Sequence, residues 1–367
     1  MVPTLLHCGC SPVTSGDNRA MNRAHDPGRS HHPYQALTPD VVLDAVASVG
    51  LRGDGRLTAL GSYENRVYQV PLDSPYAGHS VVVAKFYRPG RWSEAAIREE
   101  HAFAGELAAA EVPVVAPLAL GESTLHRWNG FWFSVSPWRG GRQPELEDYD
   151  VLEWIGRFLA RIHEVGARVP FSARPTLNIA EFAIEPRNWL LGHELVPADV
   201  RACWTTACEE AIALITKSNV SMLGTSRFES EIRLHGDCHP GNILWTPHER
   251  PGGGPHFVDL DDARTGPAIQ DLWMLLSGDR QQRTIQLSIL LEGYEQFRPF
   301  NRREIALIEP LRTLRIIHYS AWLARRWEDP TFPIHFPWFG SSDYWRGQVH
   351  LLQEQIEAMQ EPPLDCG

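Results

Sequence analysis

Apolar and polar positions change their period twice along this chain, dividing it into three stretches. The first, residues 1–35, is rich in Ser, Pro, Asn, Arg and His and keeps no period, which predicts a disordered extension. Residues 36–140 predict a strand-rich lobe. It opens on a capped helix in "LTPDVVLDAVASVG", with Thr38 or Asp40 near the start, Val42, Leu43 and Val46 on one face, and Gly50 as the stop. "RLTALGSYENRVYQVPL" sets apolar residues on both sides of a Gly-Ser-Tyr-Glu-Asn turn, a hairpin signature. "HSVVVAKFYRPG" predicts a third strand, closed by Pro89-Gly90. "WSEAAIREEHAFAGELAAAEVPV" then predicts a helix capped by Ser93 and ended before Pro113. Two more strands are expected in "VVAPLALG" and "GFWFSVSPW", and "PWRGGRQP" breaks the pattern as a flexible link.

Residues 141–367 predict a helical lobe. "DYDVLEWIGRFLARIHEVG" carries apolar residues at helical spacing, and long helical stretches run through 198–217, 268–298 and 303–327. The strand pair expected here is "NILW" with "HFVDL", joined by the Gly/Pro-rich "TPHERPGGGP". No internal repeat or heptad array is visible.

Length supports the two lobes, because 367 residues exceed what one hydrophobic core usually serves. A net charge of −11 argues against a general nucleic-acid or anionic-membrane binder. The six cysteines, Cys8, Cys10, Cys203, Cys208, Cys238 and Cys366, form no dense framework, which predicts free thiols in a reducing compartment. "MVPTLLHCGC" lacks the basic start and apolar run of a signal peptide, and no apolar run is long enough to span a bilayer. A cytoplasmic monomer is the expectation. His7, Cys8, Cys10, His31 and His32 hold one short Cys pair, too sparse for a metal cage.

"LHGDCHPGNILW" packs two histidines, an aspartate, a cysteine and an asparagine into one loop, open to three chemistries: a metal cage, a thiol catalyst or a phosphoryl-transfer site. Phosphoryl transfer needs a carboxylate to accept the hydroxyl proton and oxygen ligands for the metal on the nucleotide phosphates. Asp237, Asn242 and Asp259, the last at the end of the returning strand, supply that set, and Mg²⁺ accepts two side-chain oxygens plus waters. Lys85, near the end of an apolar strand, is either a surface lysine or a phosphate clamp held by a glutamate of the next helix. Glu100 shares an apolar face with Ala96, Phe103 and Leu107, whereas Glu99 lies on a more polar one; a carboxylate on an apolar stripe needs a partner, so Glu100 is chosen. The turn "GSYENR" would cover the phosphates with backbone N–H groups and the Ser62 hydroxyl.

"HGDxHxGN" followed by "VDxDDA" resembles the catalytic and metal loops of the aminoglycoside-phosphotransferase/choline-kinase branch of the protein-kinase-like fold. Together, "SYENRVYQV", "AKFYRPGRW", "LHGDCHPGNILW", "FVDLDDARTGPAIQDLWMLL" and "WLARRWEDPTFPIHFPW" resemble the bacterial stress response kinase A family, Ser/Thr protein kinases on that fold. The likeness runs from about Leu37 to "EPPL" and omits the first thirty-odd residues and the "ERPGGG" loop. It implies an α+β fold with a small antiparallel-sheet N-lobe and a larger, mostly helical C-lobe. It also implies Asp237 as proton acceptor and Asp259 beside it as catalytic, with Asn242 and Asp259 as Mg²⁺ ligands. Ser62 would lie at the ATP turn, Lys85 and Glu100 would form the nucleotide-clamping pair, and His235 would brace the loop.

Departures from ordinary protein kinases are visible. The metal triplet reads Asp259-Leu260-Asp261, the next helix begins near Pro267 without room for a long activation segment, and His239 stands where protein kinases carry Lys. Activity without activation-segment phosphorylation is therefore expected. Asp261 and Asp262 are expected to steady the loop or be solvated, Asp271 to brace loop backbone, His163 to be a bonded core histidine and Cys238 a buried filler. The aromatic group of Trp322, Trp327, Trp338, Trp345, Phe332, Phe336 and Phe339 is expected in the helical core. The leading expectation is an ATP- and Mg²⁺-dependent Ser/Thr protein kinase. A small-molecule kinase with an amino alcohol, sugar or aminoglycoside acceptor is the alternative. A zinc hydrolase built on His235, Asp237 and His239 and a non-catalytic nucleotide binder are more remote.

Overall fold

Alternation along one strand sets the geometry of the smaller lobe. In β3 (His79–Phe86), Val82, Ala84 and Phe86 are fully buried, so Lys85 between them points to the opposite face. The structure is a computed structural model and describes residues 32–217 and 231–366. The lobe opens with α1 (Pro39–Ser48), capped by the Thr38 hydroxyl and started by Pro39. Then come β1 (Thr58–Leu60), β2 (Arg66–Tyr76), β3, α2 (Glu94–Ala109, capped by Ser93), β4 (His126–Trp128) and β5 (Phe131–Pro137). The five strands are antiparallel in the order β1-β2-β3-β5-β4. One face packs Val70, Val82, Phe86 and Phe133 against Val42 and Val46 of α1.

Two expectations need correction here. "VVAPLALG" is not a sheet strand: it makes only isolated bridges, Val114 with Phe257 and Leu120 with Ser123, while the edge strand is His126–Trp128. Pro113 and Pro117 carry no N–H, so the segment cannot sustain a ladder. The extension also ends sooner than residue 35. Tyr34 is only 4% exposed; its hydroxyl donates to the Glu64 carbonyl and its ring stacks with Phe131. Residues 1–31, with His7, Cys8, Cys10 and His31, lie outside the described residues.

The larger lobe holds α3 (Tyr149–Gly166), a π-turn at Ala180–Ile184 that runs into α4 (Glu185–Gly192), and α5 (Ala198–Lys217). Four short strands follow: β6 (Ile232–Leu234), β7 (Ile243–Thr246), β8 (Gly254–Phe257) and β9 (Arg264–Gly266). After them come α6 (Gln270–Trp273), α7 (Arg280–Tyr294), a 3-10 turn at Arg302–Leu307, α8 (Ile308–Ala324), α9 (Thr331–His335) and α10 (Ser342–Ala358). The helical stretch expected over 268–298 is two helices, α6 and α7, parted by a turn where Gly278 takes a φ of +81°. β7 and β8 form the expected hairpin, although β8 stops at Phe257, before Asp259. The aromatic group is core as expected, with Phe332, Phe336, Phe339 and Trp345 buried, except that Trp338 is 44% exposed. Among the described residues no helix is long and apolar enough to cross a membrane.

Candidate active site

β6 pairs antiparallel with β9, Leu234 opposite Arg264, and this brings the loop after β6 beside the loop before β9. The first loop begins His235-Gly236-Asp237. The buried Asp271 carboxylate accepts the His235 and Gly236 N–H groups, both at 2.8 Å, and stands 3.1 Å from His163 Nε2. His163 is fully buried and accepts at Nδ1 from the Tyr294 hydroxyl, so both residues are the braces their sequence context suggested. Gly236 has a φ of +85°, and a Cβ there would lie 2.1 Å from the Asp262 carbonyl oxygen; no other residue fits. His235 Nε2 donates to the Val258 carbonyl at 2.9 Å, tying the two loops together. The Asn242 amide donates to the Asp237 carbonyl at 2.9 Å and closes the first loop.

The second loop turns sharply at Asp259, whose φ and ψ are both 62°. A non-glycine residue in this left-handed conformation is uncommon and is enriched in Asp and Asn. Its carboxylate is 46% exposed and reaches Lys85 at 3.0 Å; Lys85 also lies 3.3 Å from Asp261 and 3.4 Å from Glu100. The choice of Glu100 over Glu99 agrees with this geometry. Glu99 instead caps backbone, its two oxygens accepting the N–H groups of Ser172, Ala173 and Arg174 at 2.7–3.0 Å. Arg174 in turn donates to the carbonyls of Ala96, Asp261 and Ala263 and stands 3.5 Å from Glu100. One short segment of the larger lobe thereby grips α2 and the Asp259 loop at once.

Electrostatics follow from these contacts. Burial disfavours the Lys85 ammonium, but Asp259, Asp261 and Glu100 together hold its pKa well above the ordinary lysine value. Burial raises the Glu100 carboxyl, opposed chiefly by Lys85. Asp261 is buried beside Arg91 and Lys85, and Asp262 binds Arg91 and Arg264, so both carboxyls fall despite burial. They steady the loop; a solvated role does not hold for Asp261, only 2% exposed. Asp237 also stays low against burial, held there by Arg315, whose guanidinium is 2.7 Å away, and by His239. Burial pushes the Cys238 thiol far up, so it is a neutral filler and not a nucleophile.

Ser62 lies half-buried in the turn between β1 and β2 and makes no hydrogen bond to Lys85, Asp237 or Asp259. Its neighbours fasten that turn to the larger lobe. Glu64 accepts from Trp322 Nε1 at 2.7 Å and pairs with Arg326 at 2.6 Å, while Tyr63 packs edge-on against Phe336. The histidines do not gather as a zinc cage: His235 Nε2 is bound to Val258, and His239 Nδ1 accepts from Gly241 N–H. No group of three or more His, Cys, Asp or Glu among the described residues is placed to hold a metal ion.

Lys85, Glu100 and Asp259 therefore meet directly, Asp237 and Asn242 share the neighbouring loop, and Ser62 stands apart from both groups. Sequence patterns gave no sign of Arg91, Arg174, Glu99 as a cap, or Arg315. Only their residue types could have hinted at them, since arginines are common and their partners lie far along the chain.

Comparison with known proteins identifies the family and the fold. The model of the phosphotransferase enzyme family matches residues 56–308. Stress response kinase A of Escherichia coli O157:H7 is 47% identical over 334 residues, covering 90% of this chain and 96% of that protein. Serine/threonine protein kinase RdoA of Salmonella typhimurium (strain LT2) is 45% identical over 331 residues, covering 90% and 96%. Among solved structures, the amicoumacin kinase hAmiN in complex with AMP-PNP, Ca²⁺ and Ami shares the fold, with a TM-score of 0.65 at 16% identity over 87% of this chain and 94% of that one. The chain belongs to the phosphotransferase enzyme family and is a kinase of the stress response kinase A type.

Proposed function

We propose that the enzyme transfers the γ-phosphoryl group of ATP to serine and threonine hydroxyls of proteins. The observation that carries this is the meeting of Lys85 with Glu100 and Asp259 across the two lobes, 3.4 and 3.0 Å away, beside a loop that presents Asp237. Lys85 binds the α/β-phosphates and Glu100 holds its ammonium in place. The end of β5 and the link that follows it, "SVSPWRGG", face the adenine. Asp237 accepts the proton of the attacking hydroxyl while the new P–O bond forms and the bond to the β-phosphate oxygen breaks, releasing ADP. Ser62, in its fastened turn, lies over the phosphates.

The oxygen donors fit a hard divalent cation such as Mg²⁺. Asn242 commits its amide nitrogen to the Asp237 carbonyl, leaving Oδ1 with no donor among the described residues, and Asp259 presents a half-exposed carboxylate. A bound Mg²⁺ would neutralise charge on the β- and γ-phosphates. Asp259 would then share its oxygens between the cation and Lys85. Free thiols at Cys203, Cys208, Cys238 and Cys366 suit a reducing, cytoplasmic setting, and the two working lobes are residues 36–140, extended back through Tyr34, and 141–367.

The test is transfer of label from γ-labelled ATP, offered generic proteins, the enzyme itself, and a panel of amino alcohols and aminoglycosides. Label on protein is the expected result. Label confined to the small molecules would make the enzyme a small-molecule kinase instead.

A further inference from the structure

Among the described residues Arg315 is the cation paired with the base, and it arrives from far along the chain. Its Nη1 lies 2.7 Å from Asp237 Oδ1, on a face of α8 shared with His318, Tyr319 and Trp322. That pairing leaves Oδ2 for the acceptor hydroxyl, with His239 Nε2 at 3.5 Å from it. Because both partners share one carboxylate, a hydroxyl bound at Oδ2 sits roughly 5 Å from the guanidinium.

The side chains around this pair are aromatic, imidazole or already ion-paired. Burial pushes the His318 imidazole down to about 3, so it is neutral near pH 7. His318 stacks on Phe182 and Tyr319 on Trp322, with ring centroids 4.7 and 5.5 Å apart. The nearby carboxylates are already matched: Asp262 with Arg91 and Arg264, Glu185 with Arg325, Glu64 with Arg326. An ammonium bound in such a wall would stand beside an arginine, and the carboxylates nearest the base, Asp237 and the half-exposed Asp259, already pair with Arg315 and Lys85.

Resting on the kinase function proposed above, we infer that Arg315 selects the acceptor: it admits a hydroxyl with neutral surroundings, such as a peptide serine, and rejects one carrying an ammonium nearby. Its charge also faces the phosphoryl group as it passes to the acceptor oxygen.

The experiment measures kcat and KM for the full-length wild type, Arg315→Met and Arg315→Lys. The acceptors are a serine peptide with neutral flanks, the same peptide with lysines beside the serine, and two small alcohols of equal size, a diol and an amino alcohol. Labelled-nucleotide binding and melting temperature are followed in parallel. The wild type should favour the neutral member of each pair by about tenfold or more in kcat/KM, the scale expected for like charges at this separation. Arg315→Met should lose kcat and shrink the preference to within about threefold, with ATP binding kept, and Arg315→Lys should restore the preference. Equal use of neutral and cationic acceptors by the wild type would overturn the inference, as would an unchanged preference in Arg315→Met. So would a Met variant that fails only through lost folding or ATP binding while Arg315→Lys shows no selectivity. A wild type that labels the diol over the amino alcohol but labels no peptide would reject the protein-kinase function and leave the role of Arg315 standing. Label on no acceptor would sink both.

Discussion

Arg66 of β2 and Asp329, just ahead of α9, form an ion pair across the lobes, with one guanidinium nitrogen 2.9 Å from each carboxylate oxygen. Arg88 adds a third contact at 3.0 Å, and the Asp329 side chain is fully buried. Replacing Asp329 by Ala leaves two guanidinium groups without their anion, which should destabilise the protein by about 3 kcal/mol. Because this pair fastens the strand that follows the Ser62 turn, KM for ATP should rise as well. Denaturant titration and steady-state kinetics check both; a variant with unchanged stability would show the pair to be idle.

Asp237→Asn should lower kcat by at least about a hundredfold while ATP still binds, because proton acceptance by the carboxylate is lost but the nucleotide clamp is not touched. Asp259→Asn should act differently and weaken binding of the metal-nucleotide complex itself. Isothermal titration with the nucleotide, with and without Mg²⁺, separates the two.

Glu99 offers a sharper test of how α2 is held. Glu99→Gln presents an amide N–H₂ to backbone N–H groups that the carboxylate now accepts, so the grip on Ser172–Arg174 should loosen. Stability should fall by about 2 kcal/mol, and kcat/KM for ATP should drop because Glu100 sits on the same helix. Unaltered kinetics would confine Glu99 to a purely architectural role.

His101 links stability to pH. Burial, assisted by the charges of Lys85, Arg98 and Arg174, pushes its pKa from 6.5 down to about 3, and its ring is held by Tyr87 and Thr124. A depressed histidine is neutral in the folded protein, so its contribution is complete above pH 6.5 and is lost as pH falls toward 3. Melting temperature should therefore decline between pH 7.5 and 5.5 (about one unit either side of that value) more steeply in the wild type than in His101→Gln. Parallel slopes would remove this histidine from the account.

Transfer activity should survive treatment with a phosphatase that is then removed. The chain passes from Asp259 through β9 at Arg264–Gly266 to α6 at Gln270–Trp273, leaving no long segment to be ordered by a phosphate. Loss of activity after treatment would point to a control site elsewhere.

Much of the site could be read from residue order because its chemistry is local. "HGDCHPGN" and "VDLDDA" carry their residues within single loops, and the apolar stripe of α2 pointed to Glu100 before any contact was known. The division into a strand-rich and a helical lobe followed from period changes and turn residues, and the fold class from the family resemblance. What escaped was set by tertiary packing. Arg315 lies 78 residues from Asp237, and nothing in "LRTLRIIHYS" distinguishes it from Arg312. For Asp261 a loop-steadying and a solvated role stayed open, because its partners Lys85 and Arg91 come from the other lobe. "VVAPLALG" has the residue types of a strand, but Pro117 within it and Pro113 just before it supply no ladder donors.

The grip of Glu99 and Arg174 on α2 has a consequence beyond geometry. The hydrogen bonds that hold α2 against the larger lobe all come from the chain itself. Its output would then be metered by abundance: how fast the chain is synthesised, how soon it is degraded, and how much nucleotide the cell supplies.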